Sequence, residues 1–289
     1  MDWSGWRELP GMGKISPCVF IELLDGGQSF RWNCIPGEEG IWQGVFADVL
    51  VQVALDGDGK VVYRLPVGRA DDAQVHGYFG AGVDWAGLVD RLPWRSDLEL
   101  AASIKAFHGL RILRQPFGEV LFAFLCSTAK QIPQIKQCCL NVANRFGPEL
   151  ADGVHGWPSW GILADVPEES LRECKLGYRA KYVAGVASRL AGELDFEGRV
   201  LEASYPEAKA LLMSLPGVGE KVADCVLLFG AGKLGAFPVD TWITKAMSRL
   251  YGLEGWTPAA VAHFGRVHFG EAAGFAQQFL FARERQLSV

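Results

Sequence analysis

A chain of 289 residues, 49% of them hydrophobic, can bury a substantial core and has room for two or three domains, which excludes a disordered chain. The start Met1-Asp2-Trp3-Ser4-Gly5-Trp6 lacks a basic segment followed by an apolar run, and no apolar stretch approaches membrane-spanning length. The net charge of −5 is unevenly spread: residues 1–104 carry 8 Lys+Arg against 15 Asp+Glu, and residues 105–250 carry 17 against 15. The balanced centre can present a basic strip to nucleic acid although the average is acidic. A monomeric intracellular protein with no membrane partner is expected, in a bacterial cytoplasm or, in a eukaryote, a nucleus.

From Pro17 to about Pro66 the pattern is strand-like. Cys18–Leu24, Gln28–Asn33, Ile41–Phe46, Val49–Leu55 and Val61–Leu65 are separated by turn signals at Asp25-Gly26-Gly27, Pro36-Gly37 and Asp56-Gly57, so an antiparallel sheet is predicted. After Pro66 the spacing becomes helical over Ala73–Phe79, Trp85–Leu92, Asp97–Phe107, Pro116–Leu125, Ile132–Phe146, Glu168–Glu173 and Ala180–Gly192, and it stays helical to the end. The chain therefore reads as α+β. An N-terminal antiparallel sheet domain with following helices is expected over residues 1–104, and a helical core over residues 105–289. Phe117, Leu121, Phe122 and Phe124 read as core.

The seven cysteines (18, 34, 126, 138, 139, 174, 225) are an odd set without a C-x-x-C pair, which points to reduced thiols. None follows Cys225, so no C-terminal four-cysteine iron–sulfur cluster is expected. Of the five histidines, His263 and His268 are five apart and fall on different helix faces, so no catalytic metal is expected.

The most demanding stretch is near residue 220. A helix capped by Ser204, with Pro206 in its first turn, leads into Leu215-Pro216-Gly217-Val218-Gly219, a tight turn that delivers Lys221 into a second, mostly apolar helix. Gly217 and Gly219 supply conformations closed to residues with a β-carbon and expose amides at the helix start, where a phosphate is favoured. The same field, with apolar neighbours such as Val222 and Val226, favours the neutral amine that a nucleophilic lysine needs. Asp240 opens a further helix, Thr241–Leu250, with Gly252 beyond it. Taken singly, Lys221 also reads as a surface or phosphate-binding lysine and Asp240 as an N-cap. Their conjunction is more specific.

With these residues in place the chain resembles the helix-hairpin-helix (HhH-GPD) DNA glycosylases, and within them the 8-oxoguanine DNA glycosylase/AP lyase family. The resemblance extends to Asp25-Gly26-Gly27-Gln28-Ser29-Phe30-Arg31-Trp32, to Gly109–Phe117 leading into Phe124-Leu125-Cys126-Ser127, to Leu176–Val183 and to Gly274–Phe281. It implies a sheet domain packed against two helical parts, with the active site in the cleft between them. The implied partner is double-stranded DNA containing oxidised guanine. No cofactor is required for catalysis, and the family allows a structural cation at the hairpin.

The resemblance also implies roles. Lys221 would attack the sugar C1′ and form a Schiff base, followed by β-elimination, while Asp240 stabilises the cationic sugar. Cys225 and Phe281 would bracket a flipped base, Gln277 would bind its Watson–Crick edge, and the Gly27 carbonyl would accept the N7 hydrogen that only oxidised guanine carries. Tyr178 would wedge the stack, Arg179 would meet the orphaned opposite base, and Gly217, Val218 and Gly219 would hold a phosphate. From the residues alone, Cys225 reads better as a small buried thiol, while a plain turn residue is the alternative for Gly27 and a helix-terminal arginine on a solvated face the alternative for Arg179.

Two departures stand out. Where the family's eukaryotic members carry a run of asparagines, this chain has Thr128-Ala129-Lys130-Gln131, and a later arginine is Gln134. Lys130 is then a candidate phosphate contact, and discrimination of the opposite base is open. Trp242 stands in place of the family's histidine after the aspartate. The rival expectations are a monofunctional alkyladenine-type glycosylase, against which Lys221 argues, and a non-catalytic helix-hairpin-helix DNA-binding module.

Overall fold

The computed structural model describes residues 1–287. Short β1 (Arg7–Glu8) and strands β2 (Trp32–Cys34), β3 (Trp42–Phe46), β4 (Val49–Leu55) and β5 (Val61–Arg64) make one antiparallel sheet in the order β1-β5-β4-β3-β2. In β4, Val49 to Val53 are all buried, as a sheet covered on both sides requires. Gly44 of β3 pairs with Trp32 of β2, and a β-carbon there would lie 2.4 Å from the indole, so glycine makes room for the ring. The sheet-first, helix-after α+β order agrees with the expectation.

One element differs outright. The segment predicted as the first strand is helix α1 (Pro17–Asp25). Ser16 caps it by accepting from the Val19 amide at 3.3 Å, Pro17 occupies the first helical position, and the buried Val19, Phe20, Leu23 and Leu24 form one helical stripe. Tertiary burial overrides the β preference of its apolar residues. The next predicted strand shortens as well. Residues 28–31 are pinned by side chains instead: Gln28 donates to the Arg111 carbonyl at 3.2 Å and accepts from the Leu113 amide at 2.9 Å, and Gln115 donates to the Gln28 carbonyl at 2.6 Å. This holds the Asp25–Gln28 turn against the chain entering the helical core.

The rest is helical. α2 (Asp72–Tyr78), α3 (Trp85–Arg91) and α4 (Leu98–Ala106) follow the sheet; α5 (Phe117–Ser127) and α6 (Ile132–Phe146) come next, and an unpredicted hairpin of β6 (Glu149–Ala151) and β7 (Val154–His155) follows. α7 (Trp160–Ala164) and α8 (Glu168–Leu171) precede a wide turn, Arg172–Leu176, in which Lys175 takes φ +65°. Then come α9 (Ala180–Gly192), α10 (Phe196–Glu202), α11 (Tyr205–Met213), α12 (Glu220–Phe229), α13 (Thr241–Tyr251), α14 (Pro258–Phe269) and α15 (Ala273–Gln286). α5 is buried from Val120 to Cys126 and packs between α6 and α12, and α15 is embedded against α4, α13 and α14. These two buried helices carry residues of both cleft walls. Among the described residues no helix is long and apolar enough to cross a membrane.

Candidate active site

The hairpin between α11 and α12 is built as its sequence dictates. Ser204 and Glu207 cap α11 reciprocally, the Glu207 carboxylate accepting from the Ser204 amide at 3.1 Å. Gly217 takes φ +78°, and a β-carbon there would meet the Tyr182 ring at 2.6 Å. Gly219 behaves differently from the expectation. Its φ is −99° and a β-carbon would meet nothing within 4 Å, so the backbone does not demand glycine; what its absence of side chain provides is open space before α12. Val218 is buried in the hairpin.

Lys221, in the first turn of α12, points into a cleft of about 1530 Å³. Its ammonium nitrogen donates to Ser127 Oγ at 3.0 Å and lies 4.9 Å from the centre of the Phe124 ring. Phe124, expected as plain core, stacks on Phe229 with centroids 5.4 Å apart and forms the cleft floor beneath the lysine. Asp240 caps α13, accepting from the Ile243 amide at 2.8 Å, and faces the same cleft. Burial pushes its carboxyl above the usual value, while the capping amides and the charge of Lys221 pull it down. Cys225, one turn beyond Lys221, is pushed up to about 12 by burial, against the opposing charge of Lys221. It is a neutral thiol wall, not a second nucleophile.

The opposite wall comes from α15 and the Gly27 turn. Gln277 is buried; its Nε2 donates to the Pro238 carbonyl at 3.1 Å and its Oε1 accepts from Gln278 Nε2 at 2.7 Å. An amide has two hydrogens and two acceptor lone pairs, so Gln277 keeps one of each for a ligand. Phe281, one turn on, also lines the cleft. Gly27 has φ +100°, with the site of a β-carbon 2.9 Å from Ile132 Cδ1 and 3.9 Å from Phe281 Cζ, so a side chain there would fill the space beside the ring.

Gly27, Lys221, Cys225, Asp240, Gln277 and Phe281 thus meet in one cleft, and Lys130, Gly217 and Gly219 line it too. Tyr178 and Arg179 stand outside it. Tyr178 is half exposed, with the Arg179 guanidinium 4.4 Å from its ring centre and the Tyr182 ring edge-on at 6.3 Å. Arg179 is not on a solvated face: it is buried, donates to the Thr128 carbonyl, and leaves its Nε without a partner. Lys130 turns inward, donating to the Lys175 carbonyl at 2.7 Å and to Cys138 Sγ at 3.0 Å. Gln134 caps α6, its Oε1 accepting from the Gln131 amide at 3.0 Å.

Sequence reasoning passed over Ser127, the partner of Lys221, and Gln278, which orients Gln277. Ser127 had no signal beyond its place in the Phe124-Leu125-Cys126-Ser127 block; the doubled Gln277-Gln278 in an apolar helix was the visible sign for the other. Trp242 does line the cleft, with the Lys245 ammonium 5.8 Å from its ring centre. Among the described residues no cluster of three His, Cys, Asp or Glu could hold a metal.

Residues 14–121 match the N-terminal domain of 8-oxoguanine DNA glycosylase, and residues 124–267 match the HhH-GPD superfamily base excision DNA repair protein family. A probable N-glycosylase/DNA lyase of Methanothermobacter thermautotrophicus is 32% identical over 69% of this chain and 71% of that protein. N-glycosylase/DNA lyase OGG1 of Arabidopsis thaliana is 31% identical over 89% of this chain and 75% of its own. The 8-oxoguanine glycosylase/lyase of Clostridium acetobutylicum, solved with double-stranded DNA containing cytosine opposite 8-oxoguanine, superposes with a TM-score of 0.87 at 31% identity over 100% of both chains. The 3-methyladenine DNA glycosylase of Archaeoglobus fulgidus, at 21% identity and a TM-score of 0.75, shares the fold. The chain belongs to the 8-oxoguanine DNA glycosylase family of HhH-GPD base excision repair proteins.

Proposed function

We propose that the protein excises 8-oxoguanine from duplex DNA and then cuts the strand, with residues 1–104 supplying the turn that reads the base and residues 105–289 the chemistry. The observation that carries this reading is the convergence of Lys221 and Asp240 with the Gly27, Cys225, Gln277 and Phe281 walls in one cleft. A base inside the duplex is out of reach, so the nucleotide must flip into that cleft. Cys225 and Phe281 then sandwich it, the free donor and acceptor of Gln277 meet its Watson–Crick edge, and Gly27 accepts N7–H. Ordinary guanine lacks that hydrogen and would leave a carbonyl unpaired.

As the free amine, Lys221 Nζ attacks C1′, and the C1′–N9 bond breaks with its electron pair leaving on the base, which takes up a proton. The nitrogen lone pair then breaks the C1′–O4′ bond, O4′ takes up a proton from solvent, and the opened sugar is left as an iminium between C1′ and Lys221. Loss of a C2′ proton expels the 3′ phosphate, and water then releases the lysine. Asp240 stabilises the positive sugar in a site poor in water, where a fixed carboxylate is most effective. Tyr178 and Arg179 serve the gap left in the stack, with Arg179 exchanging its Thr128 carbonyl for the orphaned base. Lys130 stays a phosphate contact only if it leaves the Lys175 carbonyl.

No step needs a cofactor. The hairpin offers only oxygen donors for a cation: the Leu215 and Gly219 carbonyls each accept one amide and keep a second lone pair. Those two carbonyls would hold a hard ion, which would offset phosphate charge near the turn and take no part in bond breaking. The protein acts where the cell keeps its DNA.

The test is incubation with duplexes carrying one 8-oxoguanine opposite each of the four bases, scoring base release and strand ends separately. The reading expects base release together with a β-elimination end. Base release alone points to a monofunctional glycosylase, and neither product points to a binding module.

A further inference from the structure

We propose that Arg285 is the positioning residue for lesion reading, holding the Gly26–Gly27 peptide in register with the base-stacking ring. This rests on the reading of the cleft as a base pocket. Gln277, Phe281 and Arg285 recur every four residues along α15 and all line the cleft. The Arg285 Nη1 donates to the Gly26 carbonyl at 2.6 Å and to the two Glu22 carboxylate oxygens at 3.1 and 3.0 Å. Its guanidinium carbon lies 5.6 Å from the centre of the Phe281 ring. One cation therefore joins the last turn of α1, the peptide that follows it and the ring beside that peptide on the same cleft wall.

The Gly26 carbonyl belongs to the planar peptide that ends at the Gly27 nitrogen. Fixing that oxygen fixes the plane, and with it the direction in which Gly27 sets out at φ +100° and presents its own carbonyl. The residues to either side have other anchors: Asp25 pairs with Lys136 at 2.7 Å, and Gln28 is bound to Arg111, Leu113 and Gln115. Arg285 is what grips the peptide between them. Glu22 and Arg285 are both largely shielded, with side-chain exposures of 15% and 24%, so the guanidinium is held rather than swinging in solvent. Arg285 itself contacts no part of the reacting sugar in this reading. Its effect reaches the substrate through Gly27 and Phe281.

Arg285→Met alone would strand the Glu22 carboxylate and could unfold the region. The experiment therefore uses Arg285→Lys, whose side chain ends one bond short of the Nη1 position and lacks the planar group beside Phe281, and the charge-neutral pair Glu22→Gln with Arg285→Met. Each is compared with the wild-type enzyme in single turnover on three duplexes: one with 8-oxoguanine, one with its 7-deaza analogue, which has carbon in place of N7–H, and one with a preformed abasic site. The proposal expects excision of 8-oxoguanine to fall roughly ten- to hundredfold in the double variant and less in Arg285→Lys, as for a displaced contact. The preference for 8-oxoguanine over the 7-deaza analogue should shrink towards one. Strand cutting at the abasic site, where no base is read, should stay within about twofold of wild type. Equal losses on all three duplexes would reduce Arg285 to a fold-supporting residue and overturn the proposal, as would unchanged excision with unchanged preference. A wild-type enzyme that cuts the abasic site yet never releases 8-oxoguanine would instead contradict the base-pocket reading, and the proposal would fall with it.

Discussion

The proposed chemistry gives Asp240 a second job, which pulls against its role as a helix cap. As an N-cap it needs only an acceptor for the Ile243 amide, while as a partner of a cationic sugar it must be ionised in a buried place. Burial is the largest influence on its proton affinity and raises it above the ordinary 3.8. The sign follows: the folded state holds this proton more tightly than the unfolded chain, so the carboxylate costs stability above its raised pKa, and the cost disappears as pH falls through it. Excision should accordingly fail on acidification at a pH above the ordinary aspartate range, while the fold does not. Asp240→Asn keeps a capping oxygen and sheds the buried charge. Its melting temperature should equal or exceed wild type while excision drops about 10²- to 10³-fold. A parallel loss of both would mean that Asp240 is only a cap. That the lysine and the aspartate come together in one cleft was legible in the sequence, because a glycine turn and a helix start leave few other uses for them together. Ser127 was not, since it meets Lys221 from 94 positions away in the chain.

At the level of elements, the helix-hairpin-helix is a packing device as much as a phosphate site. Gly217 is pressed on the Tyr182 ring, and Tyr182 in turn meets Tyr178, so the hairpin and the segment proposed to wedge the stack share one aromatic contact. Gly217→Ala must pay for a left-handed alanine, about 1–2 kcal/mol, besides displacing that ring. Gly219→Ala, in open space and at ordinary φ, should leave the unfolding free energy unchanged and weaken only duplex binding. Denaturation and binding titrations of the two variants separate the cases; equal destabilisation would contradict the assignment. Periodicity located α6 and α9 to the residue, because their amphipathic stripes are unbroken. It failed on α1, where a short apolar run fits strand and helix alike and only the Ser16-Pro17 start could decide. It also missed the wide turn at Arg172–Leu176, whose left-handed Lys175 is held by the fold and has no local signal.

Across the whole molecule, a net charge of −5 has to coexist with binding a polyanion. The cations at the cleft have internal partners: Lys130 and Arg179 are committed to backbone carbonyls, and Arg31, Lys136 and Arg285 pair with Glu119, Asp25 and Glu22. In the proposed reading, much of the phosphate contact then falls to uncharged amides at the hairpin, which release no counterions. The logarithm of duplex affinity against the logarithm of salt should therefore slope nearer about −3 than the about −9 of a protein neutralising ten phosphates. A steep slope would mean that these side chains leave their internal partners on binding. Charge counting along the chain made the acidic N-terminal third visible. The inward turn of Lys130 and Arg179 depends on carbonyls 45 and 51 residues away and had no sequence signature.

The most direct measurement is borohydride trapping with a duplex containing a single 8-oxoguanine. Reduction fixes an iminium between enzyme and sugar, so the account predicts a covalent adduct with the wild-type protein and none with Lys221→Gln, which should still bind the duplex. An adduct that persists in Lys221→Gln, or none with the wild type despite base release, would contradict the central assignment of Lys221 as the nucleophile.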